Sequence, residues 1–359
     1  MTETTGMTAG ARVVNPYQSL PVRAFWRPAV AEPDISAITA VWSPKFPLGQ
    51  DDPIITAGSC FAAQLGRALI DHGMHWFDAE PAPAGLTPDQ RRRAHYGEFS
   101  FRTGTIYTAA VLRQWLSWAF GYSVPPGDAW QADGRFYDPY RPAVQPDGYA
   151  SAQEMLDARA VTLAAIRDAV TSASCFIITL GLTETWRDSV HDTTYPACPG
   201  TVRGTFDPQR HIFRNNTFAE VYTDLTEAIA LARTANPGLR ILLTVSPQPI
   251  TATATGQHVL VANADTKSLL RAVAGQAARE CDYIDYFPSY ELITSPPFRS
   301  VFYAPNLRAV TPEGVDFVMG HLLSALAGQT VKPQLTRTGA QLTGGDVCDD
   351  AVLDYYAPR

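Results

Sequence analysis

The chain has 359 residues, 46% of them hydrophobic and 18% charged, with a formal net charge of −7. That length can bury a large core, the composition carries no signature of bulk disorder, and the acidic balance argues against nucleic acid or anionic membrane as partners. No apolar run approaches the roughly 18–20 residues of a membrane-spanning helix, and the N-terminus lacks the basic and apolar regions of a secretory leader. Five cysteines, Cys60, Cys175, Cys198, Cys281 and Cys348, are scattered without a CxxC pair. That pattern suits reduced thiols in a cytoplasm better than a disulfide framework or a zinc site, so neither metal nor cofactor is expected.

In chain order, residues 1–44 are rich in proline and aromatics and read as an arm packed on the domain that follows. The domain is expected over 45–328 and a C-terminal tail over 329–359. Asp52, Pro53, Ile54, Ile55 and Thr56 give a short apolar strand, followed by Gly58, Ser59 and Cys60. A helix then runs to a stop at His72 and Gly73, with Phe61, Leu65, Leu69 and Ile70 expected on its inner face. Long insertions are expected at 78–104, 121–150 and 182–215, with helices at about 105–120 and 151–171. The run from Cys175 to Leu180 is a buried strand; a helix to about 235, a strand from Leu239 to Val245, a helix at 264–279, a strand at 283–286 and a last helix from Thr311 complete the pattern. Strands alternating with helices imply an α/β fold, a three-layer sandwich around a mainly parallel sheet.

In such sheets ligands bind beyond the carboxyl ends of the strands. The segments that follow each strand should therefore converge: Gly58 to Cys60, Gly181 to Glu184, Ser246 to Gln248, and Phe287 to Glu291. Cys60 at a strand-to-helix turn is the leading nucleophile, since a helix N-terminus favours a thiolate and an oxyanion formed against it. Ser59 competes for that role, and its bland role is helix cap. A nucleophile needs a base. His258, in the loop leaving the Ser246 strand end, is the histidine best placed; Lys267 and Glu184 are fallbacks.

Gly58-Ser59-Cys60-Phe61-Ala62 resembles the motif that names the GSCFA family, itself similar to SGNH/GDSL-type hydrolases and acyltransferases. The likeness extends over roughly 45–327 through segments that include 78–81, 102–107, 136–142, 179–184, 198–202, 244–247, 288–291 and 306–308. Against the wider SGNH pattern, Cys60 stands where the serine nucleophile would be and Thr183 where an asparagine oxyanion donor would be. The usual Asp and His before the last helix are replaced by Asn306 and Ala309. The resemblance implies an SGNH-like, flavodoxin-like fold with cap insertions and a Cys60 nucleophile whose base has moved to His258, with Glu184 as a further catalytic carboxylate. It also implies oxyanion donors at Ser59, Gly104 and Thr183, and substrate contacts at Glu291, Asn306 and Arg308. The expected function is cysteine-dependent acyl transfer, as acyltransferase or hydrolase, through an acyl-Cys60 thioester in small-molecule or glycan biosynthesis. Its partner would be a small-molecule acyl substrate, free or carrier-bound. Two alternatives stand beside it: a non-catalytic ligand-binding domain, and an esterase with Ser59 as nucleophile.

Overall fold

The computed structural model describes residues 15–327 and Leu353; the expected tail therefore lies outside the described residues apart from Leu353, as do the first 14 residues of the arm. In chain order, the first half contains β1 (Ile54–Gly58), α1 (Cys60–Asp71), α2 (Pro88–Arg93), α3 (Ala109–Ala119), β2 (Trp130–Ala132), β3 (Arg135–Tyr137) and α4 (Ala152–Ser172). Then come β4 (Cys175–Leu180), β5 (Glu184–Asp188), β6 (Thr193–Tyr195), β7 (His211–Asn215) and α5 (Phe218–Ala235). The last elements are β8 (Arg240–Val245), α6 (Val259–Glu280), β9 (Ile284–Tyr286), α7 (Ser289–Thr294) and α8 (Pro312–Leu326).

Four strands form the central sheet in the order β1-β4-β8-β9, every pair parallel. Their near-continuous apolar sequences follow from burial on both faces. Alternate residues divide between two cores: Ile55, Phe176, Ile178, Ile241 and Leu243 pack with α3, α4, α5 and α6, whereas Ile54, Ile177 and Leu242 pack with α1, α7 and α8. Helices on both sides of the sheet make the three-layer α/β/α sandwich expected from the sequence. Among the described residues no helix is long and apolar enough to cross a membrane.

The insertions carry more regular structure than their composition suggests. The 182–215 segment folds as an antiparallel sheet in the order β6-β5-β7, and β2 with β3 forms a hairpin inside 121–150. Two helical readings are corrected. Ile70 is 50% exposed while Phe61, Leu65 and Leu69 are buried, because nine residues at 100° each place Ile70 half a turn from Phe61. Helix α6 begins at Val259 rather than 264, since its first turn presents Leu260 and Val261 to solvent and carries no amphipathic signal. Of the arm, Ile38 is buried in the α1 and α8 core, joined by Phe46 and Leu48 just beyond it, and Trp42 packs edge-on to Phe287, whereas Tyr17 and Trp26 are exposed.

Candidate active site

Gly58 makes the turn between β1 and α1 possible. Its φ of +141° suits glycine, and a Cβ there would lie 2.3 Å from the Thr179 carbonyl oxygen of the neighbouring strand. The Ser59 N–H donates to that same oxygen at 3.1 Å, after which the chain enters α1 with Cys60 as its first residue. Cys60 is partly buried, and its Sγ lies 3.4 Å from the Tyr107 hydroxyl. Tyr107 is held in turn: its carbonyl accepts from Gly181 N–H at 3.1 Å and Leu182 N–H at 2.9 Å, and Ile106 N–H reaches the Gly58 carbonyl at 2.8 Å. Glycine at 181 allows the approach, since a Cβ there would come within 3.0 Å of Ser59 Cβ and 3.3 Å of the Tyr107 ring.

Around Cys60 lies a pocket of about 10 Å³, lined by Tyr107, Leu182, Ser246, Gln248, Lys267 and Arg308 among others. That is roughly the room one water needs. Three of the four strand ends expected to converge do so. The segment after β9 stays away because β9 is three strand spacings, about 14 Å, from β1. Lys267 is 1% exposed and donates to the Gly181 carbonyl at 2.9 Å; Arg308 Nε donates to the Pro249 carbonyl at 3.0 Å. Two cationic side chains thus border the thiol at the N-terminus of a helix, and both features favour its thiolate form.

Of the other residues singled out by sequence, most hold different positions. His258 caps α6: its Nδ1 accepts the Leu260 N–H at 3.2 Å, its side chain is exposed, and it does not line the Cys60 pocket. The structure therefore does not bring the expected Cys60–His258 pair together at the Cys60 pocket, because His258 sits at the exposed start of α6. Ser59 cannot serve as a main-chain oxyanion donor, because its N–H is committed to Thr179. Its Oγ is buried without a partner, so it is not the expected side-chain cap; Ser59 does line the Cys60 pocket. Thr183 Oγ1 donates to Asn215 at 2.7 Å and meets Thr266 at 3.0 Å, 1% exposed and away from the pocket. Gly104 takes a positive φ of 68° in the turn before Tyr107 and also lies outside the pocket lining. Asn306 folds its carboxamide oxygen onto the N–H groups of Arg308 and Ala309, both at 3.0 Å, which shapes the loop that carries Arg308. Glu291 is paired with Arg271 at 2.5 Å and accepts from the Tyr286 hydroxyl at 2.7 Å, on the α7 side.

Glu184 borders a second cavity, of about 280 Å³, that shares Tyr107 and Leu182 with the Cys60 pocket. Its carboxylate accepts from Thr253 Oγ1 at 2.6 Å and from the Ala254 N–H at 2.9 Å.

Behind the site lies a buried ionic network. The Asp138 carboxylate accepts from Arg141 Nε at 2.9 Å, from Arg159 at 2.9 and 2.7 Å, and from the Tyr140 N–H at 3.0 Å. All three charged side chains are at most 2% exposed. Burial raises the Asp138 pKa, but the adjacent Arg159 and Arg141 guanidinium groups prevail and hold it below the usual carboxylate range. Arg141 also donates to the Arg102 carbonyl at 3.1 Å, and Glu80 accepts the Arg102 N–H at 2.9 Å. The network therefore anchors the 102–107 segment that delivers Tyr107 to Cys60.

One group of potential metal ligands exists among the described residues: atoms of Asp128, Asp188 and His191 lie within 4.8 Å of one another. Arg210 already joins Asp128 at 2.8 Å and Asp188 at 2.6 Å, so a cation is supplied by the protein itself.

Tyr107 and Gln248 line the site although the sequence reading names them only as the ends of segments and gives neither a role. Lys267 had a legible signal, a lysine on the same helical face as the buried Leu270 and Ala274.

Fold and site together define a class: a three-layer α/β protein presenting a cysteine at its first strand-to-helix turn, against the ends of the next two strands. The chain belongs to the GSCFA family, whose sequence profile matches residues 53–322. A search of curated proteins and a search of solved structures each return no match.

Proposed function

We propose that the protein is a cysteine-dependent acyl-transfer enzyme working through an acyl-Cys60 thioester. The observation that carries this reading is the placement of Cys60 at the start of α1, with Tyr107 at 3.4 Å and with Lys267 and Arg308 bordering the same pocket. In the proposed reaction the Cys60 thiolate attacks the carbonyl carbon of an ester, thioester or amide. The C–S bond forms, the bond to the leaving group breaks, and the Tyr107 hydroxyl gives its proton to the leaving group. Water or an acceptor nucleophile then attacks the thioester, returns a proton to Tyr107, and releases the thiolate. Positive charge from Lys267 and Arg308 and first-turn N–H groups of α1 would stabilise the tetrahedral oxyanion. His258 has no proton-transfer part in this scheme.

The test is acylation by a small thioester, followed by intact mass. The expected result is a single acyl adduct on the native protein and on His258→Ala, and none on Cys60→Ala. Iodoacetamide should alkylate Cys60 about tenfold more slowly in Lys267→Met, because a neighbouring cation that favours the thiolate is gone. An adduct that persists in Cys60→Ala, or a Cys60 alkylation rate indifferent to Lys267, would overturn the reading.

A further inference from the structure

The cavity of about 280 Å³ beside the catalytic pocket has a composition of its own. Its walls include Leu182, Trp186, Pro196, Ala197, Ala252 and Leu353, and no lysine, arginine or histidine lines it among the described residues. Among the described residues the single charged group on its rim is Glu184, whose oxygens are bound by Thr253 and Ala254 of the loop after β8. Tyr107 and Leu182 belong to both spaces, so the cavity opens beside the side chain that touches the Cys60 sulfur. The Cys60 pocket itself, at about 10 Å³, has room for reacting atoms and no more.

We infer that this cavity is the acyl-chain site, and that the donor carries an uncharged aliphatic acyl group rather than an acetyl or a dicarboxylic one. The inference rests on the acyl-Cys60 reading above. A volume of 280 Å³ is small for a whole ligand but suits one arm of it. At the close-packed density of protein interiors, a chain of up to about eight carbons fits such a space. Apolar walls reward each added methylene, whereas a terminal carboxylate would be desolvated against Glu184 with no cation at hand. The antiparallel cap gives the site its specificity: Trp186 comes from β5, and Pro196 and Ala197 follow β6.

The experiment uses N-acetylcysteamine thioesters from acetyl to octanoyl, with adipoyl as the charged counterpart of hexanoyl, on the full chain. The rate constant for Cys60 acylation should rise about fourfold per methylene until the cavity is full, since each buried methylene contributes roughly that factor. Ala197→Trp should move the optimum to shorter chains. Hexanoyl should outpace adipoyl by at least about tenfold, and Glu184→Gln should narrow that gap. Independently of any reaction, hexanamide should raise the melting temperature of the native chain and not that of Ala197→Trp. Adducts on Cys60 with a flat chain-length profile, and no stabilisation by hexanamide, would overturn the assignment of the cavity while leaving the chemistry intact. No adduct with any chain, but stabilisation by hexanamide, would overturn the chemistry and leave the apolar site standing.

Discussion

Two clusters of charge sit at opposite ends of the 102–107 segment, one fully buried and one at a pocket, and they are built differently. Around Asp138 each guanidinium meets a carboxylate, and the carboxylate accepts four hydrogen bonds. Beside Cys60, Lys267 and Arg308 give hydrogen bonds to the Gly181 and Pro249 carbonyls and line the pocket around the thiol. The first arrangement closes its charges on one another away from any pocket and secures a backbone segment. The second places two cationic side chains at the edge of a space that also holds a thiol. In the proposed function the same residue types thus serve folding in one place and chemistry in the other, and the presence of a pocket beside the cations marks the difference.

The largest expected effect separates the two functions outright. Cys60→Ala should lower acyl transfer by at least about a thousandfold, to background, because the covalent route is lost. Its urea midpoint should match that of the native chain, since a partly exposed thiol contributes little packing. Asp138→Asn should do the reverse. Removing one partner from a buried charge network costs about 3–5 kcal/mol, measured by urea unfolding. Where the variant remains folded, it should keep its Cys60 adduct. A normal midpoint for Asp138→Asn would mean that the network is not the structural half of the pair.

Acid should also probe the buried groups. His321 is 7% exposed, packs against Phe317, and has its Nε2 buried without a partner. Burial pushes its pKa down to about 4 from an ordinary value near 6.5. The unfolded chain then binds a proton that the folded chain refuses, so stability is full above about pH 6.5 and falls as pH drops toward 4. The loss across that window is at most about 3 kcal/mol. His321→Leu should flatten it. Asp138 has a lowered pKa, and its contribution is present above the unfolded value near 4 and disappears only below it.

The parts legible in the sequence were those that repeat a period or punctuate it. The continuous apolar runs of β4 and β8 and the stop at His72 and Gly73 follow from local rules, and all appear in the structure. Cys60 at a strand-to-helix turn was equally local. The arrangement around His258 and Lys267 is less legible, because both lie on one element whose start the sequence pattern does not mark. Moving the start of α6 from 264 to Val259 turns His258 from a loop residue into a cap. It also draws attention to Lys267, on the buried face of that helix. Tyr107 was hidden for a different reason. Its position depends on contacts from Gly58, Gly181 and the Asp138 network, all distant in the chain, and no period in its own segment announces them.

The smallest expected effect is the one that joins the two clusters. Tyr107→Phe keeps the ring that both cavities share and removes only the hydroxyl 3.4 Å from the Cys60 sulfur. If that hydroxyl passes the proton to the leaving group, acylation should slow by about a hundredfold for an alkyl ester. The loss should shrink toward about tenfold for an activated thioester, whose leaving group needs less help from an acid. Stability should change by less than about 1 kcal/mol, since the ring stays packed. A variant equally slow on both substrates would assign the hydroxyl to holding the thiol in place, and would shift the proton to solvent. The dependence on leaving group, more than the loss itself, therefore decides whether the segment anchored by Asp138 delivers a proton or only a wall.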